Sequence, residues 1–386
     1  MKITQIEAFA LRFPKNDDIP NAYTIADGDW RSIYSNMHET MVVRITTDEG
    51  LVGYGEGQSP VSPGTSKIIV EDLCRPILIG ADPFDVEYLW QKMYSAMRER
   101  GHPTGFFVDA LAGCDIALWD LIGKATGKPI HKILGGRYRD RIKLYAGCGG
   151  KTPDTAATRA ETLVDAGFRA LKLHLTTDRH HILSVVSAVR ERVGANIDLM
   201  VDLHTQYAVS EAIMLGRGLE ALDVFWLESP TVPEDIQGQV EITRALDMNV
   251  ANGEWSRTRY EMREAFERRT CDVTMPDIGR TGLTEGKRIA LLADTYNIPF
   301  APHIGGGGIL SIAASIQLSA VIPNFLIMEH GYEAHGHKCR LTHSAPQPVD
   351  GAFILDDKPG LGVEIDEEAL AEFSLERGST QPPGLR

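Results

Sequence analysis

With 386 residues the chain can hold one large barrel-type domain plus an accessory domain, and its 43% hydrophobic and 24% charged residues suit a globular protein with a sizeable core. A formal net charge of −14 argues against a nucleic-acid partner, since nothing supplies the basic patch that a phosphate backbone requires, and no stretch reaches the ~20 apolar residues of a membrane span. Five scattered cysteines (Cys74, Cys114, Cys148, Cys271, Cys339) show no Cys-x-x-Cys spacing, and the N-terminus alternates like a strand instead of running apolar like a signal peptide, so a reducing cytoplasm is expected.

Residues 1–135 read as a strand-then-helix domain. After the first strand, HETMVVRITT (38–47) and LVGYGEG (51–57) flank Asp48-Glu49-Gly50 as a hairpin. The 14–38 connection between them is long enough to be a lid or binding loop, from which Trp30, Arg31, Tyr34 and His38 can reach a site. A helix is expected over DPFDVEYLWQKMYSAMRER (82–100), with Asp82 as N-cap and Pro83 at its first position. The run ALAGCDIALWDLIGKATGKPIHKILGG (110–136) reads as a second helix, ended by Gly135-Gly136.

From about 140 to 345 short apolar runs alternate with amphipathic helical stretches such as TAATRAETLVDAG and HHILSVVSAVRERVG. Eight strands are predicted: RIKLYAG, FRALKLHL, IDLMVDLH, VFWLES, NVANGEW, CDVTMPD, IPFAPHI and FLIMEHG. Strand-helix repetition of this kind builds a parallel sheet, and eight units fit a closed (β/α)8 barrel of α/β class. The Pro-rich tail GSTQPPGLR reads as loose.

The acidic residues carry the chemical signal. Asp202, Glu228 and Glu254 each close a predicted strand, each 26 residues after the last. Barrel enzymes place their active groups at these C-terminal ends, and three converging carboxylates repel one another unless a cation lies between them. Hard oxygen ligands select Mg²⁺. Asp277, His303 and Glu329 end the next three strands, and an Asp that accepts from the neighbouring imidazole fixes its tautomer and raises its basicity, which makes His303 a candidate general base. On the second strand Lys172 and His174 stand two apart and share a face. Gly305 to Gly308 could hold an anion on backbone N–H groups or simply turn the chain, and Arg280 could pair with a distal substrate carboxylate or with a surface acid.

Taken together, the spacing of Asp202, Glu228 and Glu254, the Asp277 and His303 pair, Glu329 and the 110–136 run resemble the enolase superfamily, in its mandelate racemase-like subgroup. The resemblance covers essentially the whole chain. It implies a modified (β/α)8 TIM-type barrel (136–350), an α+β N-terminal capping domain (1–135) completed by a C-terminal segment (351–386), lid loops at 14–38 and 58–64, and one Mg²⁺ that binds the carboxylate of an acid substrate. A homo-oligomer is implied as well.

Racemase-like relatives carry Lys-x-Lys on the second strand; this chain has Lys172-Leu173-His174, which puts a two-base racemase mechanism in question. The third strand adds Asp202-Leu203-His204, which resembles galactonate dehydratase-like members, acid-sugar dehydratases of the superfamily. By that resemblance His303 takes the C2 proton of an aldonate or aldarate, His204 protonates the departing 3-hydroxyl, Glu329 holds a substrate or enediolate oxygen, and a 2-keto-3-deoxy acid results. Lys172 would donate to the substrate carboxylate, with His174 as its polar or basic partner. An epimerase, racemase or cycloisomerase on related acids shares the first step, and a catalytically silent protein that keeps the fold is the reading from another class.

Overall fold

The computed structural model describes residues 1–14, 22–25, 32–150, 152–375 and 384–385. Strands β1 (Ile3–Pro14), β2 (Ala22–Ile25), β3 (Ile33–Ser35), β4 (Met37–Thr47) and β5 (Val52–Gly57) come first. β1, β4 and β5 form an antiparallel sheet with β4 central, and the β4–β5 hairpin turns where the sequence predicts. The helix Phe106–Thr126 lies across this sheet, nearly all of it buried. The glycines of VGYGEG make that close approach possible: a Cβ on Gly55 would sit 2.1 Å from the Gly113 carbonyl oxygen and one on Gly57 2.3 Å from that of Asp109. Asp82 does cap, accepting from Phe84 N, though a 3₁₀ turn (Pro83–Asp85) precedes the α-helix Val86–Arg98. The 110–136 run departs from expectation, because its helix stops at Gly127, which is left-handed with φ 64°, and Pro129 separates it from a short turn of helix at Ile130–Ile133.

The parallel sheet runs through β6 (Arg141–Cys148), β7 (Ala170–His174), β8 (Asp198–Asp202), β9 (Val224–Glu228), β10 (Asn249–Asn252) and β11 (Val273–Thr274), and β12 (Met328–His330) pairs with the other edge of β6. Between β11 and β12 the predicted strand IPFAPHI contributes isolated bridges, Thr274 to Phe300, Asp277 to His303 and Phe300 to Phe325, instead of a ladder. Pro299 and Pro302 lack the N–H groups that a ladder needs, so the seventh rung closes the barrel without forming a regular strand. Inside, Tyr145, Met200 and Trp226 alternate with Ala170, Ala251 and Ala301 to fill the barrel and form the floor of its open end.

Two small elements tie the ends together. β13 (Ala352–Ile354) pairs antiparallel with β6, and Leu375 N donates to the Ala10 carbonyl of β1 at 2.8 Å. β2 and β3 form a separate sheet with Gly384–Leu385, so these two residues of the tail are paired; the rest of 376–386 lies outside the described residues. Trp30 and Arg31 lie outside the described residues.

Candidate active site

The loop after β5 brings the capping sheet to the barrel mouth, where Gln58 N donates to the Gly279 carbonyl at 2.8 Å and Gln58 Nε2 to the Ile304 carbonyl at 2.9 Å. Tyr34, His38, Glu39 and Pro60 from this side face His174, His204, Glu254, Arg280, His303 and Glu329 across a cavity of about 500 Å³. Thus the barrel supplies the titratable groups and the cap supplies the roof.

At the floor, Lys172 is completely buried, its Nζ 2.8 Å from Glu228 Oε1, 2.9 Å from Glu329 Oε1 and 3.6 Å from Asp202 Oδ2. Burial works to strip its proton, but Glu228, Glu329 and Asp202 outweigh that and hold its pKa well above the ordinary lysine value. Glu228 also accepts from Trp226 Nε1 at 3.1 Å; burial, with Asp202 and Glu254 pushing the same way, raises its pKa to about 8 against the pull of Lys172. Asp202 is held below the usual carboxylate range: burial opposes this, but His174, at 2.6 Å, and Lys172 prevail. The two β7 residues share a side, as expected, but not an environment, since the His174 side chain is 53% exposed at the rim.

The His303 Nδ1 lies 2.7 Å from Asp277 Oδ2, and its Nε2 lies 2.7 Å from Glu254 Oε2 and 3.6 Å from Glu329 Oε2. Burial would lower its pKa, yet Glu254, Glu329 and Asp277 raise it well above normal. Glu329 also accepts from Ile304 N at 2.8 Å and Gly305 N at 3.0 Å, and Glu56 accepts from Gly308 N. Carboxylates of the protein therefore take the Gly305 and Gly308 N–H groups of the glycine run, and Gly307 N donates to the Ile304 carbonyl. Arg280 points inward, bound to Gln58 Oε1 and to the Glu254 carbonyl at 2.9 Å, and not to a surface acid. His204, at φ 47°, anchors its N–H on Asp202 Oδ1 at 2.8 Å. Burial, with His174 and His303, lowers its pKa despite Asp202 and Glu254.

All nine residues singled out from the sequence therefore meet at one end of the barrel. The three carboxylates Asp202, Glu228 and Glu254 are neighbours, but each is turned to a basic side chain: His174, Lys172 and His303 respectively. They still fit a divalent cation. Glu254 Oε1 is buried with no hydrogen-bond partner among the described residues, and the Glu228 pKa is raised by burial and by Asp202, Glu254 and Glu329, which Lys172 does not fully offset. A nitrogen-containing set, His174, Asp202 and His204, also gathers its ligand atoms within 4.8 Å, but a hard cation favours the all-oxygen set. Glu39 was not legible as a cavity residue, because only the docking of cap on barrel brings it there.

Fold and site together describe a capped barrel whose mouth gathers clustered carboxylates and an Asp–His pair. Residues 155–369 match the enolase C-terminal domain-like family, and residues 32–135 match the mandelate racemase / muconate lactonizing enzyme N-terminal domain. The chain belongs to the mandelate racemase-like branch of the enolase superfamily. It is 34% identical to the D-galactarolactone cycloisomerase of Agrobacterium fabrum over 87% of this chain and 91% of that protein. It is 32% identical to the D-galactonate dehydratase of Variovorax paradoxus, over 90% and 92%. A racemase from Streptomyces coelicolor A3(2), solved with bound magnesium, superposes with a TM-score of 0.86 at 28% identity, covering 97% of this chain and 100% of that one. Among the described residues no helix is long and apolar enough to cross a membrane.

Proposed function

We propose that this enzyme is a hydro-lyase that dehydrates a sugar acid, an aldonate or aldarate, to a 2-keto-3-deoxy acid with Mg²⁺ held by Asp202, Glu228 and Glu254. The observation that carries this reading is the pair of imidazoles, His303 and His204, lining one cavity from different rungs, the first backed by Asp277 at 2.7 Å and the second on a residue whose backbone N–H is held by the Asp202 carboxylate. Bound among the carboxylates, the metal would offset the negative charge that raises the His303 pKa and draw off the charge that builds on the substrate carboxylate.

The protein's own groups do the rest. Lys172 donates to the substrate carboxylate from below, and Glu329, fixed by two backbone N–H groups, holds a substrate hydroxyl or enediolate oxygen. His303 removes the C2 proton, with Asp277 keeping its Nδ1 engaged so that Nε2 is the basic atom. Electrons of the enediolate form the C2=C3 bond as the C3–O bond breaks, and His204 gives a proton to the departing oxygen, releasing water. A hydroxyl is a poor leaving group, and general-acid help is worth roughly 10²–10⁴ in rate. His174, paired with Asp202 at the rim, orients that carboxylate. We also propose a homo-oligomer in the cytoplasm, the latter in keeping with five free cysteines.

The cycloisomerase relative at 34% identity supports a second reading, in which the same C2 abstraction leads to ring opening. Product analysis separates the two. On a panel of aldonates and aldarates with Mg²⁺, dehydration yields a keto acid reactive to semicarbazide. His303→Asn should abolish C2 deuterium exchange, and His204→Asn should spare exchange while blocking elimination. Unchanged turnover in His204→Asn would remove it as the acid.

A further inference from the structure

The turn that follows His303 is held from three sides. Gln58 Nε2 of the cap donates to the Ile304 carbonyl at 2.9 Å, Glu329 Oε2 accepts from Ile304 N at 2.8 Å and from Gly305 N at 3.0 Å, and Lys338 Nζ donates to the Gly305 carbonyl at 2.9 Å. Lys338 stands on the helix Tyr332–Cys339 that follows β12, so the segment carrying Glu329 grips Gly305 by its N–H and, further along, by its carbonyl. Gly305 and Gly306 line the cavity, and a Cβ on Gly305 would lie 2.4 Å from His303 Cε1. The place of this one residue therefore decides both how Glu329 is aimed and how closely the backbone stands against the imidazole. Lys338 is only 3% exposed, and a buried ammonium is costly unless its charge is used. Its charge reaches the buried Glu56 carboxylate, where it works against the burial that raises the pKa of that acid. A counter-charge to Glu56 has no need to sit within hydrogen-bond distance of the carbonyl beside His303.

Resting on the reading of His303 as base and Glu329 as holder of a substrate or enediolate oxygen, we propose that Lys338 is a positioning residue for enediolate formation: by holding the Gly305 carbonyl it fixes the turn, keeps two N–H groups on Glu329 Oε2 and sets the backbone against the His303 ring. Glu329 Oε1 is already committed to Lys172 at 2.9 Å, so the turn is what fixes the other oxygen. Proton removal at C2 and loss of the 3-hydroxyl both pass through the enediolate. Both therefore depend on Lys338 alike.

The test uses the full-length Mg²⁺-loaded enzyme in D₂O with D-galactonate and a panel of other aldonates and aldarates. Lys338→Met keeps a long apolar side chain and removes the ammonium. C2 exchange and keto-acid formation at saturating substrate should each fall about 10- to 100-fold, a displacement of roughly 1 Å being enough for the upper figure; unaltered rates would overturn the proposal. The same substitution in a Glu56→Gln background, where the buried acid no longer calls for a counter-charge, separates the two roles of the lysine. The fall should recur there by about the same factor, and its disappearance would reduce Lys338 to the partner of Glu56. Backbone deuterium uptake without substrate, read by mass spectrometry on peptic fragments, supplies a measure that needs no turnover. Fragments over 303–308 should exchange faster in Lys338→Met while those over β7 to β9 keep their native protection. Equal uptake at 303–308 would count against the assignment, and so would faster uptake throughout, which is the mark of a general loss of stability. If no acid of the panel exchanges with the native enzyme, or if His303→Asn leaves exchange intact, the reading of the site fails and this proposal with it. If His303→Asn abolishes exchange while Lys338→Met leaves it unaltered, this proposal alone fails.

Discussion

Gly305 sits where backbone and base meet. Its φ is 41°, its N–H donates to Glu329, its carbonyl accepts from the buried Lys338 Nζ at 2.9 Å, and a Cβ there would stand 2.4 Å from His303 Cε1. A methyl group cannot share that space, and the atom that must give way belongs to the His303 ring, the proposed base. Gly305→Ala should therefore lower C2 exchange by more than about tenfold through misplacement of the base, at a stability cost of only about 1 kcal/mol for the strained backbone. Solvent-deuterium exchange alongside a thermal melt checks both, and normal exchange would mean that the ring has room to spare. The sequence could point to a flexible turn here but not to its neighbour. It could place the acids, because strand ends recur at even spacing in a parallel barrel and their side chains meet at one end. It could also put Lys172 and His174 on one side of β7. It could not tell floor from rim: period two assigns a face, while depth depends on how far each strand extends, and here it leaves one side chain sealed and the other half exposed.

Between elements, Glu56 at the end of β5 is the clamp. Its carboxylate, fully buried, accepts from Thr40 Oγ1 at 2.6 Å and from Gly308 N, Leu310 N and Ser311 N at the start of the barrel helix Ile309–Val321, so one acid of the capping sheet caps a helix of the other domain. The negative charge also opposes the positive end of the helix dipole. Glu56→Gln keeps the shape, loses the charge and turns a donor toward these N–H groups. Charge-assisted hydrogen bonds of this kind contribute about 1.5–3 kcal/mol, and chemical denaturation should register a loss of that size. A loss below about 0.5 kcal/mol would mean that the clamp is dispensable. In the sequence this glutamate is one alternating residue of a hairpin, and its partners on the barrel helix lie more than 250 positions away. Local pattern carries no such pairing. The same limit explains the seventh rung, where an apolar run looked like a strand but two prolines leave only bridges.

At the scale of the molecule, acid stability should turn on the packing between the last rung and the C-terminal segments. His330 closes β12, is 2% exposed, stacks on Phe168 at 5.7 Å and meets Phe353 of β13 edge-on at 5.4 Å. The titratable groups around it are His335, Lys338, Glu329 and Tyr332. Burial, aided by His335 and Lys338 and opposed by Glu329, lowers its pKa to about 3 from an ordinary 6.5. A histidine held neutral in this way contributes stability above its unfolded pKa, and that contribution is lost as pH falls from about 6.5 toward 3, because the unfolded chain takes up a proton that the folded ring refuses. The slope is about 1.4 kcal/mol per pH unit within that window. His330→Phe and His330→Gln remove the titration, and the other groups cancel when each variant is compared with the native protein at the same pH. The stability difference should be constant from pH 8 to about 7, then move in the variant's favour by about 1.4 kcal/mol for each unit down to pH 4, measured by denaturant titration at each pH. A difference that stays level across the whole range would mean that His330 takes its proton as readily in the folded chain as in the unfolded one, and the sealed joint between barrel and C-terminal strand would have to be open to water.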